Sequence, residues 1–194
     1  DFTNTRKVGK LTVKKTVESD IESDHDEVFL FELTLTNDGE VLNGEYGGYT
    51  FEGGIIKFYL TDTDEITIEQ IPYGTEYELK ETEDARFKAE VITENATGTI
   101  GEETEEITVE FRNTRKTGEL DISKEVVSDA AADKDIEFEF TVTLSDTGIN
   151  GTYGGMTFAN GVATFKLKDG ASVKAEGLPT DITYTVTEES ADGF

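Results

Sequence analysis

Lysine, glutamate and asparagine occupy positions where the apolar face of a strand should lie. In Leu11-Thr12-Val13-Lys14-Lys15-Thr16-Val17, a period of two places Lys15 in line with Leu11, Val13 and Val17. The same parity puts Glu81 with Tyr77 and Leu79, and Asn113 with Ile107, Val109 and Phe111. Burying an unpaired ammonium costs several kcal/mol, so a fold that buries Lys15 must pair it, deprotonate it or consume it. Deprotonated, a lysine is a nucleophile, and an asparagine carboxamide is an electrophile once its carbonyl is polarised. A buried glutamate with a raised pKa can take the lysine proton and donate a hydrogen bond to the amide. Attack then expels ammonia and leaves a neutral Lys–Asn isopeptide bond. Two competing readings are a plain buried Lys15–Glu81 ion pair beside Asn113, and a bulge that turns Lys14 inward instead of Lys15.

The elements that must carry these residues are strands. Phe29, Phe31, Leu33 and Leu35 alternate with mostly polar residues, as do Phe138, Phe140, Val142 and Leu144, which is the half-buried strand pattern. Further strands are expected over 55–60, 65–71, 75–81, 88–100 and 106–113, and no convincing helical period appears. The glycines Gly44, Gly47, Gly48, Gly53 and Gly54 lack a following helix, so they read as turns and bulges rather than a phosphate cradle.

An internal repeat with an offset of about 107 to 109 residues organises the whole chain. Gly9-Lys10-Leu11-Thr12-Val13-Lys14-Lys15 matches Gly118-Glu119-Leu120-Asp121-Ile122-Ser123-Lys124. Gly44-Glu45-Tyr46-Gly47-Gly48 matches Gly151-Thr152-Tyr153-Gly154-Gly155, and Tyr77-Glu78-Leu79-Lys80-Glu81 matches Tyr184-Thr185-Val186-Thr187-Glu188. Serine at 123, opposite Lys14, favours Lys15 as the inward residue. Phe2-Thr3-Asn4-Thr5-Arg6-Lys7 recurs as Phe111-Arg112-Asn113-Thr114-Arg115-Lys116. Residues 1–7 are therefore expected to be the closing strand of a preceding module, 8–116 a complete β-sandwich module of roughly seven strands, and 117–194 a second module without its last strands. The missing strands read first as a truncation; alternatively, the open second module could accept a strand such as residues 2–6 from a neighbouring chain, which would bring Asn4 to Lys124.

Lysine in the first strand, Tyr-x-x-x-Glu in a later one and Phe-x-Asn-Thr in the last resemble the isopeptide-forming Cna-B-type and streptococcal pilin linkage domains of Gram-positive surface proteins. The resemblance covers module one throughout and module two up to Phe194. It implies an all-β fold of tandem Ig-like sandwich modules, a Lys15–Asn113 bond and Glu81 as catalytic acid/base. In module two it implies the same roles for Lys124 and Glu188 without an acceptor asparagine, and it places Asn4 in the acceptor slot of an upstream module.

The balance of 43 Asp and Glu against 17 Lys and Arg, a net charge of -26, opposes binding to nucleic acid or to anionic membranes. The absence of cysteine excludes disulfides and thiol catalysis. The acidic stretches 18–27 and 61–65 read as solvated loops rather than calcium sites, and His25, the single histidine, as a surface residue. No metal or cofactor is expected, and no membrane insertion. The chain reads as a structural stalk repeat of a cell-surface adhesin or pilus-like fibre, extracellular and attached to the cell wall through regions outside this sequence. Its partners would be neighbouring modules of the same parent chain. The alternative is a module that itself grips a host or matrix protein; a turnover enzyme ranks last, since the only reaction foreseen is one self-cross-link.

Overall fold

Alternating burial gives each long strand one packed face and one wet face. The computed structural model describes residues 2–93 and 96–190, and the chain divides into two units between Thr114 and Arg115. The first unit contains β1 (Val8–Glu18), a 3-10 helix (Glu22–Asp26), β2 (Phe29–Asn37), β3 (Glu40–Val41), β4 (Gly44–Tyr46), β5 (Tyr49–Phe51) and β6 (Ile55–Leu60). It continues through β7 (Glu65–Pro72), β8 (Thr75–Glu81), β9 (Phe87–Val91), β10 (Thr97–Thr99) and β11 (Glu106–Arg115).

One sheet has the order β7-β1-β11-β9; the other runs β10-β8-β2-β3, with β6 also on β2. Their inner faces share one apolar core that includes Leu11, Val13, Phe31, Leu33, Leu79, Val109 and Phe111. Phe31 and Phe111 meet edge to face across it, centroids 5.1 Å apart. This is a two-sheet β-sandwich in which β1 pairs antiparallel with β7 and β2 with β8, while β1 and β11 lie side by side in parallel. A parallel pair needs a crossover, and here the crossover is the entire rest of the module. Val13 faces Val109 and Val17 faces Asn113 in the register of that pair.

The stretch 88–100, read as strand, divides between the two sheets as β9 and β10. A chain crossing from one sheet to the other must leave both ladders, and here β9 ends at Val91 and β10 begins at Thr97. The two consecutive glycines between β4 and β5, Gly47 and Gly48, both have positive φ, at 57° and 86°. A Cβ on Gly47 would stand 2.4 Å from the Glu69 nitrogen, so this turn also needs the missing side chain.

The second unit contains β12 (Thr117–Ser123), a 3-10 helix (Ala131–Asp135), β13 (Phe138–Leu144), β14 (Gly151–Tyr153), β15 (Met156–Phe158), β16 (Val162–Leu167), β17 (Ser172–Pro179) and β18 (Tyr184–Glu188). Its pairs are β12 with β17, β14 with β15, and β16-β13-β18. Phe138, Phe140, Val142, Leu144 and Phe158 fill its own core. Among the described residues β12 pairs with β17 alone, whereas β1 is flanked on both sides. The glycines show the same difference. A Cβ on Gly9 would press within 2.7 Å of Ile100 and 2.5 Å of Glu105, but one on its counterpart Gly118 would meet nothing within 4 Å beyond its chain neighbours.

Candidate functional site

Lys15, Glu81 and Asn113 meet inside the first sandwich. The burial of β1 alternates without a break from Gly9 to Val17, so Lys15 is drawn inward with Leu11 and Val13 and is 0% exposed. Asn113 on β11 is 1% exposed, and the Glu81 side chain, reaching from β8 in the opposite sheet, is 3% exposed. Lys14 points to the other face, where it pairs with Glu65 at 3.0 Å. The inward lysine is therefore Lys15.

Glu81 bridges the other two. Its carboxylate lies 3.3 and 3.4 Å from Lys15 Nζ, and Oε1 accepts a 2.5 Å hydrogen bond from Asn113 Nδ2. The Phe29 ring covers Lys15 Nζ, 4.2 Å from its centroid. Burial lowers the lysine's affinity for its proton, against the attraction of Glu81, and burial likewise raises the Glu81 pKa, against Lys15 and Asn113. Both shifts move the proton from ammonium to carboxylate, the direction that creates an amine nucleophile and a neutral acid.

One detail differs from the sequence reading. Glu81 contacts the nitrogen of the Asn113 amide, while Oδ1 is buried with no hydrogen-bond partner. The carboxyl group is thus set beside the leaving nitrogen, not beside the carbonyl oxygen it was expected to polarise. An unsatisfied buried acceptor of this kind costs about 1 to 3 kcal/mol.

In the second unit Lys124 directly follows β12, and its Nζ donates to both Glu188 oxygens at 2.7 and 3.0 Å. Phe138 covers this ammonium at 4.1 Å, as Phe29 covers Lys15. The pair is far wetter, with Lys124 15% and Glu188 36% exposed. Asn4 lies in an exposed segment outside any strand, apart from Lys15, Glu81 and their bonded partners.

His25 has more to do than a surface residue in a solvated loop. It sits half-buried on the 3-10 helix Glu22–Asp26, with Nδ1 2.7 Å from Asp62 Oδ2 and Nε2 3.1 Å from the Ser19 carbonyl. Asp62 Oδ1 in turn accepts the Val17 N–H at 2.7 Å. Asp64 caps the same turn, accepting from Thr61 N and Oγ1 at 2.8 and 2.7 Å. Carboxylates that looked free are committed to backbone donors. Among the described residues no group of three or more acidic, histidine or cysteine side chains is placed to hold a metal ion.

Known proteins similar to this chain are pilus proteins of streptococci. The pilus tip adhesin Cpa of Streptococcus pyogenes is 42% identical over 85 residues, a match covering 40% of this chain and 12% of that protein. The chain thus spans about an eighth of that relative's length. The major pilin T-13 of Streptococcus pyogenes superposes with a TM-score of 0.55 at 18% identity, covering 95% of this chain and 83% of that one. A second major pilin structure from the same species gives 0.54 at 19% identity, covering 94% and 82%. At that identity the likeness establishes a shared all-β fold. Two segments, 9–115 and 118–194, match the family described as domain of unknown function DUF7601, and the chain belongs to that family.

Proposed function

We propose that the chain is a stalk repeat of a Gram-positive surface fibre, stabilised by a self-formed bond between Lys15 Nζ and Asn113 Cγ. The observation that carries this reading is the burial of an amine and a carboxamide, on adjacent parallel strands, against one shared carboxyl group. Glu81 takes a proton from the Lys15 ammonium, and the freed amine attacks Asn113 Cγ. As the new C–N bond forms, Glu81 passes its proton to Nδ2 and receives one from the former amine. The old C–N bond breaks and ammonia leaves carrying the proton that Lys15 first gave up, while the second proton, taken from the former amine, remains on Glu81. Each chain reacts once, with no turnover. The product is a neutral amide in a place where an ammonium was costly.

Because β1 opens the module and β11 closes it, the bond carries tension from one to the other and bypasses β2 to β10. Pulled by its ends in a single-molecule force experiment, the wild-type chain should release no length from residues 16–112. An Asn113→Ala chain should release it. Extension of that segment in the wild type would refute the mechanical role.

The Streptococcus pyogenes relative is a pilus tip adhesin, which favours a second reading in which these modules bind a host or matrix protein. The immobilised chain should capture nothing specific as a stalk, whereas a saturable partner would favour adhesion. For Lys124 an acceptor such as Asn4 of a neighbouring copy fits the repeat, and a cross-linked dimer mass would support that exchange.

A further inference from the structure

Both units hold the lysine-bearing end of their first strand with the same strap. At Lys15 the antiparallel ladder between β1 and β7 has ended, its last pair being Lys14 with Glu65. The β6–β7 turn continues in its place: Lys15 N donates to the Asp64 carbonyl and Thr63 N to the Lys15 carbonyl, both at 3.0 Å. The Asp62 carboxylate then takes the Val17 N–H with one oxygen and His25 with the other. In the second unit Lys124 N donates to the Ala171 carbonyl and Gly170 N to the Lys124 carbonyl, at 3.0 and 2.9 Å. Asp169 Oδ1 accepts the Val126 N–H at 2.9 Å, and its Oδ2 pairs with Lys134 at 3.3 Å. Even the supporting bonds recur, Ser19 Oγ to Asp24 and Ser128 Oγ to Asp133, each at 2.5 Å. The cation on the clamping carboxylate differs, histidine in one unit and lysine in the other.

We infer that His25 and Asp62 are positioning residues that clamp the Lys15–Val17 end of β1 in register with Asn113, and that His25 makes this clamp titratable. The charged groups acting on the pair are Glu22, on the same 3-10 helix as His25, and, more weakly and only through electrostatic attraction to Asp62, the Lys15 ammonium. The hydrogen bond to Asp62, then that to the Ser19 carbonyl, hold the imidazole above its ordinary pKa. Burial works to raise the Asp62 pKa, but the bonds from His25 and Val17 N prevail and hold it below the ordinary carboxylate value. The clamp is therefore complete below the unfolded imidazole value of about 6.5 and weakens as pH rises through the higher folded value. It fails again only in acid strong enough to protonate Asp62.

The effect on cross-linking rests on the proposed bond; the clamp itself does not. Amide hydrogen exchange at Val17 and Val126, read in one molecule between pH 5 and 9 after correction for intrinsic rates, separates them. In both the wild type and Asn113→Ala, Val17 protection should fall severalfold relative to Val126 across the imidazole titration. His25→Lys should make the ratio flat with pH, and Asp62→Asn should lower it throughout. A ratio that ignores pH in the wild type, or a pH dependence that survives His25→Lys, would overturn the inference. Loss or retention of ammonia, read by mass on the same samples, reports separately on the bond.

Discussion

An Asn113→Ala chain is expected to melt about 20 °C lower in its first unit than the wild type, with the second unit unchanged. Closing a loop of about 100 residues contributes roughly 4 to 5 kcal/mol in the chain-entropy treatment of disulfides, and each kcal/mol moves the midpoint of a 60–100-residue domain by about 4 to 8 °C. Asn113 is the mildest place to break the link, because the Lys15–Glu81 pair survives. Lys15→Ala should lower the same transition, since it removes the nucleophile and leaves a cavity while Glu81 protonates. Differential scanning calorimetry resolves the outcome if the two units melt separately. Equal midpoints for the wild type and Asn113→Ala would remove the cross-link from the list of stabilising features.

Glu81→Ala should be more damaging than Asn113→Ala, and for two reasons. Without the carboxyl group no base takes the lysine proton and no acid meets the leaving nitrogen, so the chain should keep its full sequence mass. Lys15, 0% exposed, also loses its ion-pair partner. Breaking a buried pair in this way costs about 3 to 5 kcal/mol, because the remaining charge is uncompensated. Glu81→Gln separates the two effects, since it keeps a hydrogen-bonding group beside Asn113 while abolishing proton transfer. The expected order of first-unit midpoints is wild type, then Asn113→Ala, then Glu81→Ala. A Glu81→Gln chain that still loses ammonia would show that the carboxyl group is not the acid/base.

The inward trio was legible because parity is rigid. Lys15, Glu81 and Asn113 each follow apolar neighbours at every second residue, and a strand packed on one face admits no other register without a bulge. The repeat added Lys124 and Glu188 by the same logic. Their exposure was not legible, since it depends on which strands cover β12 rather than on the alternation within it. Nor was the strap. His25 meets Asp62 through the fold of a turn 37 residues away, and nothing in the local pattern around either residue marks that meeting. The serine, aspartate and cation recurring near 19, 24 and 25 and near 128, 133 and 134 could have signalled it. The division of 88–100 between two sheets is likewise a tertiary fact, as both halves have the composition of strand. The orientation of the Asn113 amide is fixed by one hydrogen bond, which sequence does not encode.

Intact-mass spectrometry of the purified wild-type chain tests the central claim most directly. The expected mass lies one ammonia below that of the sequence, with a fragment joining Lys15 to Asn113 after proteolysis and the full mass restored in Glu81→Ala. A wild-type chain at its full sequence mass would contradict it, and would leave the three residues as a buried ion pair beside an unreacted amide.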